Sequence, residues 1–381
     1  VDVRNEKHDG KEAHAPEGVF MRKVLCSPGS YIQQEGAISS LAEEYSAMGE
    51  SGVYLIVDPF IDERYHDDIV SSFDKDSVPY DLAVFGGECS MTEIDRHREH
   101  VGSADAIIGI GGGKTVDTAK AVGYYTKIPV IIVPTAASSD APCSRLSVIY
   151  TDDGQFDHYL PLPRNPEAVI MDTELIANAP IRFLVSGLGD AFATYYEAAA
   201  CVKSNAITMT GGHATNAAFA LATLCHDSLL ADGVKAVAAA RKGLRTPAVE
   251  NIIETNTLLS GLGFESCGLA AAHSIHDGLT ALEPTHKYLH GEKVAYGTLA
   301  QLVLEDRSLD EMKEVFDFFR AVGLPTRLAD IGIADATDED LLRVGELSCD
   351  DAETMGNMPF EVTPKDVATA LRAVDEIAQE I

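Results

Sequence analysis

Asp190, His273 and His290 are the residues of this chain whose types suit a catalytic metal. One carboxylate and two neutral imidazoles make a three-ligand set for zinc and leave one position open for a substrate. Each residue also has a plainer reading. Asp190 follows Gly187-Leu188-Gly189 at the expected start of an apolar helix, where an aspartate caps free backbone N–H groups. His273 follows three alanines on a segment that reads as a buried helix, where histidine is often a satisfied core residue. His276 lies three residues further on, near enough to share that face. His290 opens the string His290-Gly291-Glu292-Lys293. Spacing alone leaves both readings open.

A second chemistry lies upstream. Residues 104–120 read as a buried strand, a glycine turn at Gly111-Gly112-Gly113, and a helix that starts at once with Lys114 and Thr115. Glycines let a pyrophosphate approach the backbone, and the helix start offers N–H groups and the positive end of its dipole. The spelling matches neither common phosphate loop. A Walker A loop needs a glycine five positions before the Gly-Lys pair, and that position is Ile108. The Rossmann fingerprint fits at Gly109 and Gly111, but Lys114 replaces its third glycine. Asp58, after the apolar run 53–57, stands where an acid accepts hydrogen bonds from a ribose or simply ends a strand. The string 135–144 follows another apolar run and places the hydroxyls of Thr135 and Ser138 in a loop of small residues; a plain turn has the same composition.

The elements that must position these residues change character along the chain. Apolar runs at 53–57, 80–85, 106–110, 129–134 and 168–171 alternate with amphipathic segments, as in a parallel sheet covered on both faces. Residues 147–150 and 156–159 flank Asp152-Asp153-Gly154 and predict a hairpin. Beyond Pro180 the spacing becomes helical over 188–204, 211–231, 233–242, 247–262, 266–281, 291–304, 308–322 and 338–349. The expected organisation is a polar, flexible extension over 1–18, an α/β domain with a Rossmann-like sheet over 19–180, and an all-α domain over 181–381. A substrate then belongs in the cleft between the two domains.

Composition excludes some functions. The chain has 381 residues with 60 acids against 29 Lys and Arg, a formal charge of −31. The acids are spread throughout, and such a field repels nucleic acid and anionic membrane. It suits a salt-rich cytosol, where screening is strong. No run of 18 uninterrupted apolar residues is present, and the first residues lack an apolar leader core, so a cytoplasmic location is expected. Seven dispersed cysteines without a CxxC spacing predict neither a disulfide framework nor a cysteine zinc site.

Five ordered strings resemble the iron- or zinc-dependent polyol dehydrogenases, the group III alcohol dehydrogenases: GIGGGKTVDTAK at 109–120, PTAASSDAPCSRLSVIY at 134–150, GLGDAFATYYEA at 187–198, GFESCGLAAAHSIHDGLTAL at 263–282 and HGEKVAYG at 290–297. The resemblance runs from about residue 20 onward. It implies a dehydroquinate-synthase-like fold and zinc held by Asp190, His273 and His290. It implies NAD contacted by Asp58, Gly113, Lys114, Thr115, Asp117, Thr135 and Ser138, with Ser144, Leu146 and Tyr150 nearby. Asp140 falls at a substrate-binding acid. Iron-dependent members carry a further histidine where this chain has Thr194, which disfavours iron and leaves His276 as a packing or supporting residue. The implied reaction is oxidation of glycerol to dihydroxyacetone with hydride transfer to NAD, in a homo-oligomer that is often an octamer. Rival readings are a glycerol-1-phosphate dehydrogenase and a dehydroquinate-synthase-like lyase. Both need anion-binding bases, for which only Arg145, Lys287 and Lys293 are at hand.

Overall fold

The computed structural model describes residues 21–381; the expected extension over 1–18 lies outside the described residues. The strands are β1 (Ser30–Gln34), β2 (Val53–Val57), β3 (Tyr80–Val84), β4 (Ala106–Gly111), β5 (Val130–Pro134), β6 (Leu146–Tyr150), β7 (Phe156–Pro161) and β8 (Ala168–Asp172). Six of them form one sheet in the order β1-β8-β5-β4-β2-β3. Every pairing in that sheet is parallel. β2, β4, β5 and β8 are buried along their whole length, as their apolar sequences require. The edge strand β1, with the sequence SYIQQ, is half polar and escapes a search for apolar runs. β6 and β7 form the expected antiparallel hairpin, with a bulge at Ile149/Tyr150.

Helices α1 (Leu41–Ser46), α2 (Pro59–Asp76), α3 (Met91–Arg98), α4 (Gly113–Thr126) and α5 (Thr173–Ala177) accompany the sheet. After β8 the described chain is helical: α6 (Ile181–Ser204), α7 (Asn216–Ala240), α8 (Pro247–Glu254), a π-helical turn (Thr255–Leu259), α9 (Ser260–Cys267), α10 (Ala271–Leu279), α11 (His290–Leu304), α12 (Leu309–Val322), α13 (Asp338–Ser348) and α14 (Pro364–Glu380). The expected fold class is therefore the observed one.

Boundaries differ in four places, each for a local reason. α7 is a single helix rather than two. Gly233 does not break it, because a Cβ there would lie 2.8 Å from the Phe318 ring; the glycine serves packing. The segment expected as 247–262 and 266–281 is broken instead at Gly268, whose φ of 104° suits only glycine. α14 was not expected. Helix α6 begins at Ile181, so Asp190 is not a cap but lies well inside the helix and fully buried. One described helix, α7, is long and apolar enough to cross a membrane by length and composition; it carries Asp227, Asp232 and Lys235 and packs against α6 and α8.

The sheet order fixes where a ligand can bind. From β2 the chain goes outward to β3 and then crosses back to β4 on the other side. The carboxyl ends of β2 and β4 thus form a topological switch point, where open α/β sheets leave a crevice. Asp58 and the glycine turn stand there, joined by a hydrogen bond from Asp58 N–H to the Ile110 carbonyl at 2.9 Å.

Candidate active site

The glycines of the turn divide the work. A Cβ at Gly109 would lie 2.4 Å from Ala119 Cβ, and one at Gly111 would lie 2.7 Å from the Thr115 side chain. These two glycines let α4 sit close on β4. Gly112 and Gly113 have no atom within 4 Å of an added Cβ; they border open space. Gly112 starts α4 without any side-chain cap. The first N–H groups of α4 therefore face an open cradle, which fits the pyrophosphate of a dinucleotide.

Around the cradle the expected cofactor residues play unequal parts. Lys114 Nζ donates to both carboxylate oxygens of Glu88, at 2.6 Å each, and lies 5.0 Å above the Tyr150 ring. Asp58 caps α2 through Oδ1, which accepts from Phe60 and Ile61 N–H. Thr135 N–H donates to the Gly111 carbonyl, placing the loop after β5 beside the glycine turn. Ser138 follows in that loop, and its carbonyl accepts from the Ser186 hydroxyl at 3.2 Å. Thr115 and Asp117 are buried. The Asp117 carboxylate accepts from Val148 N–H at 3.0 Å and faces Lys120, so it braces the hairpin from within. Ser144 is buried and bonded to the Ala141 carbonyl, and the Leu146 carbonyl accepts from Lys120 at 3.0 Å.

Lys120 is a residue that the spacing did not single out. Fully sequestered, it donates to the Ala141 carbonyl at 2.6 Å and reaches Asp117 and Ser144 at 3.4 Å. It thereby pins the 141–146 loop to α4. The available signal was its i+3 relation to Asp117 on one helix face.

The metal set comes from three helices. Asp190 lies on α6, His273 in the first turn of α10, and His290 at the first position of α11. Their donor atoms lie within 4.8 Å of one another. Small residues make that possible: a Cβ on Gly291 would fall 1.8 Å from the Ser186 carbonyl oxygen, and one on Gly189 would fall 2.3 Å from the Gly291 oxygen. α6 and α11 therefore touch backbone to backbone, and Asp190 meets His290.

The hydrogen bonds around this set fix which imidazole nitrogens carry protons. His273 Nδ1 lies 2.6 Å from Glu197 Oε2, so Nδ1–H donates to that carboxylate. Glu197 is fully buried, and its Oε1 accepts from the N–H groups of Ala270 and His273. On the other side, His276 Nδ1 faces Asp277 Oδ1 at 2.9 Å and donates to it, which leaves His276 Nε2 as an acceptor. His290 Nδ1, 3.1 Å away, donates to that atom. In their neutral forms, the ones that can bind a metal, both histidines thus turn the Nε2 lone pair toward Asp190. Burial and the neighbouring His290 push His276 down to about 3, so it stays neutral in this role.

Asp190 Oδ1 lies 3.3 Å from His273 Nε2 and 3.0 Å from His290 Nε2, and it is buried without a hydrogen-bond partner. Three electron-rich atoms aimed at one point repel each other unless a cation lies between them. Burial opposes charge at His273, but the Glu197 and Asp190 carboxylates outweigh it and raise His273 well above its usual range. The pocket draws positive charge, and a divalent metal fits its donor set. Thr194, one turn beyond Asp190, is buried and bonded to Ser260. Asp140 touches the same set through its backbone, donating N–H to Asp190 Oδ2 at 3.2 Å, and its own carboxyl is buried. Burial, then the Asp190 charge, raises Asp140 well above the usual carboxylate range. Glu197, Asp277 and Glu88 were not expected. Their carboxylates are ordinary in sequence, and only the fold aims them.

The bases that a phosphomonoester would need are otherwise engaged. Arg145 faces Glu265 at 3.8 Å and donates to the Met209 carbonyl. Lys287 lies over the Tyr288 ring, and Lys293 is buried.

Known proteins share this arrangement of elements. The model of the iron-containing alcohol dehydrogenases matches residues 28–173. The chain is similar to the glycerol dehydrogenase of Thermotoga maritima, with 54% identity over 350 residues that cover 91% of this chain and 95% of that protein. It is similar in structure to a glycerol dehydrogenase from Schizosaccharomyces pombe, with a TM-score of 0.92, 40% identity, and coverage of 95% of this chain and 92% of that one. A probable glycerol dehydrogenase from Sinorhizobium meliloti superposes with a TM-score of 0.88 at 45% identity, covering 94% of this chain and 100% of that one. Sequence identity of that extent over nearly the full length of both chains places this chain in the iron-containing alcohol dehydrogenase family.

Proposed function

We propose that this chain oxidises glycerol to dihydroxyacetone with NAD as hydride acceptor and zinc as the metal. The observation that carries the reading is the buried, partnerless Asp190 Oδ1 facing two imidazole Nε2 atoms beside Asp140. Similarity to glycerol dehydrogenases supports the choice of polyol. When bound, the metal supplies Lewis acidity that brings a hydroxyl pKa toward neutrality, and the nicotinamide accepts the hydride.

This chain's own residues do the rest. Asp190, His273 and His290 hold the metal, with Glu197 and the Asp277–His276 pair keeping the two imidazoles in the ligating tautomer. Asp140 orients the polyol by accepting a hydrogen bond from a neighbouring hydroxyl. Gly112, Gly113 and the start of α4 hold the pyrophosphate, with Lys114 beside them. Asp58 accepts from the ribose through its second oxygen, and its charge disfavours a 2′-phosphate. Thr135 and Ser138 line the loop between cofactor and substrate, and Ser144, Leu146 and Tyr150 border it. We place the division between the cofactor-binding and metal-binding domains near residue 180. We also propose a homo-oligomer, supported by the exposed Leu224 and Val234 on α7, and a salt-rich cytoplasm as its setting.

The test is an assay of zinc-loaded protein with NAD⁺, following NADH with glycerol and with glycerol-1-phosphate. Rapid NADH formation with glycerol alone is expected. No turnover of glycerol at any salt concentration would overturn the proposal.

A further inference from the structure

α9 lies against the loop that carries Asp140 more closely than a helix with ordinary side chains could. A Cβ on Gly261 would fall 2.9 Å from Cys143 Cβ and 3.1 Å from the Asp140 carbonyl oxygen. A Cβ on Gly263 would fall 2.5 Å from Thr194 Cγ2. Between these glycines and the π-helical turn stands Ser260, fully buried. Its backbone N–H bonds five residues back to the Thr255 carbonyl, the last link of the π-turn. A single π-turn inside a helix re-aims the residues that follow it. Here Asn256 and Ser260 both meet the loop after β5. Asn256 Nδ2 donates to the Ala137 carbonyl at 3.1 Å and to the Leu184 carbonyl on α6 at 3.2 Å. Ser260 Oγ–H donates to Asp140 Oδ2 at 2.7 Å. Ser260 has one hydroxyl proton, so its second contact, with Thr194 Oγ1 at 2.8 Å, has Thr194 as the donor.

We infer that Ser260, backed by Thr194, is a positioning residue that aims Asp140 at the second hydroxyl of a vicinal diol, and so sets the preference for polyols over monohydric alcohols. The inference rests on the proposed polyol oxidation and deepens it. The string Thr194→Ser260→Asp140 occupies one carboxyl oxygen and fixes the rotation of the group, leaving Oδ1 for the substrate. Thr194 lies one turn beyond Asp190 on α6, so the same helix that supplies a metal ligand anchors the diol-reading acid. The reacting hydroxyl and its neighbour are thus registered from one rigid element. Loss of the string frees Asp140 to rotate. That weakens recognition of the second hydroxyl and leaves the metal set in place.

The experiment compares propane-1,2-diol with propan-2-ol, which differ by that hydroxyl, in zinc-loaded wild type, Ser260→Ala, Thr194→Val and Thr194→Ser. In Ser260→Ala the loss of kcat/KM on the diol is expected to exceed the loss on propan-2-ol by about 10-fold, mostly through KM. Thr194→Val should shift the ratio in the same direction by a smaller factor, Thr194→Ser should restore it, and zinc content should equal that of wild type throughout. Equal proportional losses on the two alcohols, or a fall in zinc content that tracks the loss, would overturn the inference. If Ser260→Ala does not fold, the Thr194 pair decides by the same ratio. A wild-type protein inactive on both glycerol and propane-1,2-diol would instead defeat the functional reading, and this inference with it.

Discussion

His273 and His290, the proposed metal ligands, depend on carboxylates that do not touch the metal position themselves. Glu197 accepts from the Nδ1–H of His273 at 2.6 Å and from two backbone N–H groups, which hold it immobile. A neutral amide at this position keeps much of the shape and loses the charge. Glu197→Gln should therefore fold normally and bind zinc roughly 10–100-fold more weakly, as removal of an outer partner does at other histidine–metal sites. Competition with a chelating dye measures this, and an unchanged zinc affinity would show that Glu197 is a core acid without influence on the metal. Glu88 invites a test of the other half of the site. It neutralises Lys114 at the mouth of the phosphate cradle. If the pyrophosphate must take Lys114 from Glu88, Glu88→Gln lowers the NAD dissociation constant, read by quenching or by calorimetry. A weaker dissociation constant would mean that Glu88 holds Lys114 in place for the cofactor.

At the scale of elements, the contact of α6 with α11 decides whether a site exists. The two helices meet at Gly189 and Gly291. Gly291→Ala places a Cβ 1.8 Å from a backbone oxygen that cannot move aside within a helix. The helices must separate, and overpacking of this kind costs about 1–3 kcal/mol or more. Denaturant unfolding should show that loss, together with loss of bound zinc. Wild-type stability in the variant would mean that the helices part more freely than their packing implies. A different element reports on pH. α3 is docked to β2 through His97, which lies fully buried between Tyr54 Oη and Glu93, each at 2.9 Å. Burial lowers His97 from 6.5 to about 4, against the pull of Glu93. Between these values the unfolded chain binds a proton that the folded chain refuses, so stability falls as pH drops from about 6.5 to about 4. His97→Gln keeps hydrogen-bonding capacity without titrating, and should flatten that part of the stability curve. Identical curves for the two proteins would remove His97 from the account.

For the whole molecule, a charge of −31 sets the balance between folding and self-repulsion. The Debye length shrinks from roughly 10 Å in about 0.1 M salt to roughly 3 Å in about 1 M. If the acidic surface is an adaptation to salt, the unfolding midpoint should climb steadily with potassium chloride across that range. A flat or falling midpoint would mark an ordinary acidic protein. The same field opposes the anionic cofactor of the proposed function, for which Lys114 and the uncapped start of α4 are the proposed local attraction.

The sequence by itself determined a great deal here. Apolar runs specify β2, β4, β5 and β8 up to its last residue, Asp172, because a strand buried on both faces leaves little room for polar side chains. The glycine turn specifies an open helix start, and the five strings contain the three residues, Asp190, His273 and His290, whose donor atoms meet. These signals are local, and a linear pattern carries them. Periodicity could not show that Glu197 closes on His273 from 76 residues away, or Ser260 on Asp140 from 120. Nor could it show that Gly109 and Gly111 serve packing while Gly112 and Gly113 face a ligand. It read Asp190 as a helix cap or a ligand, and only the course of α6 excluded the cap. Tautomers, buried charges and backbone contacts are properties of neighbours in space, and the tertiary structure chooses those neighbours.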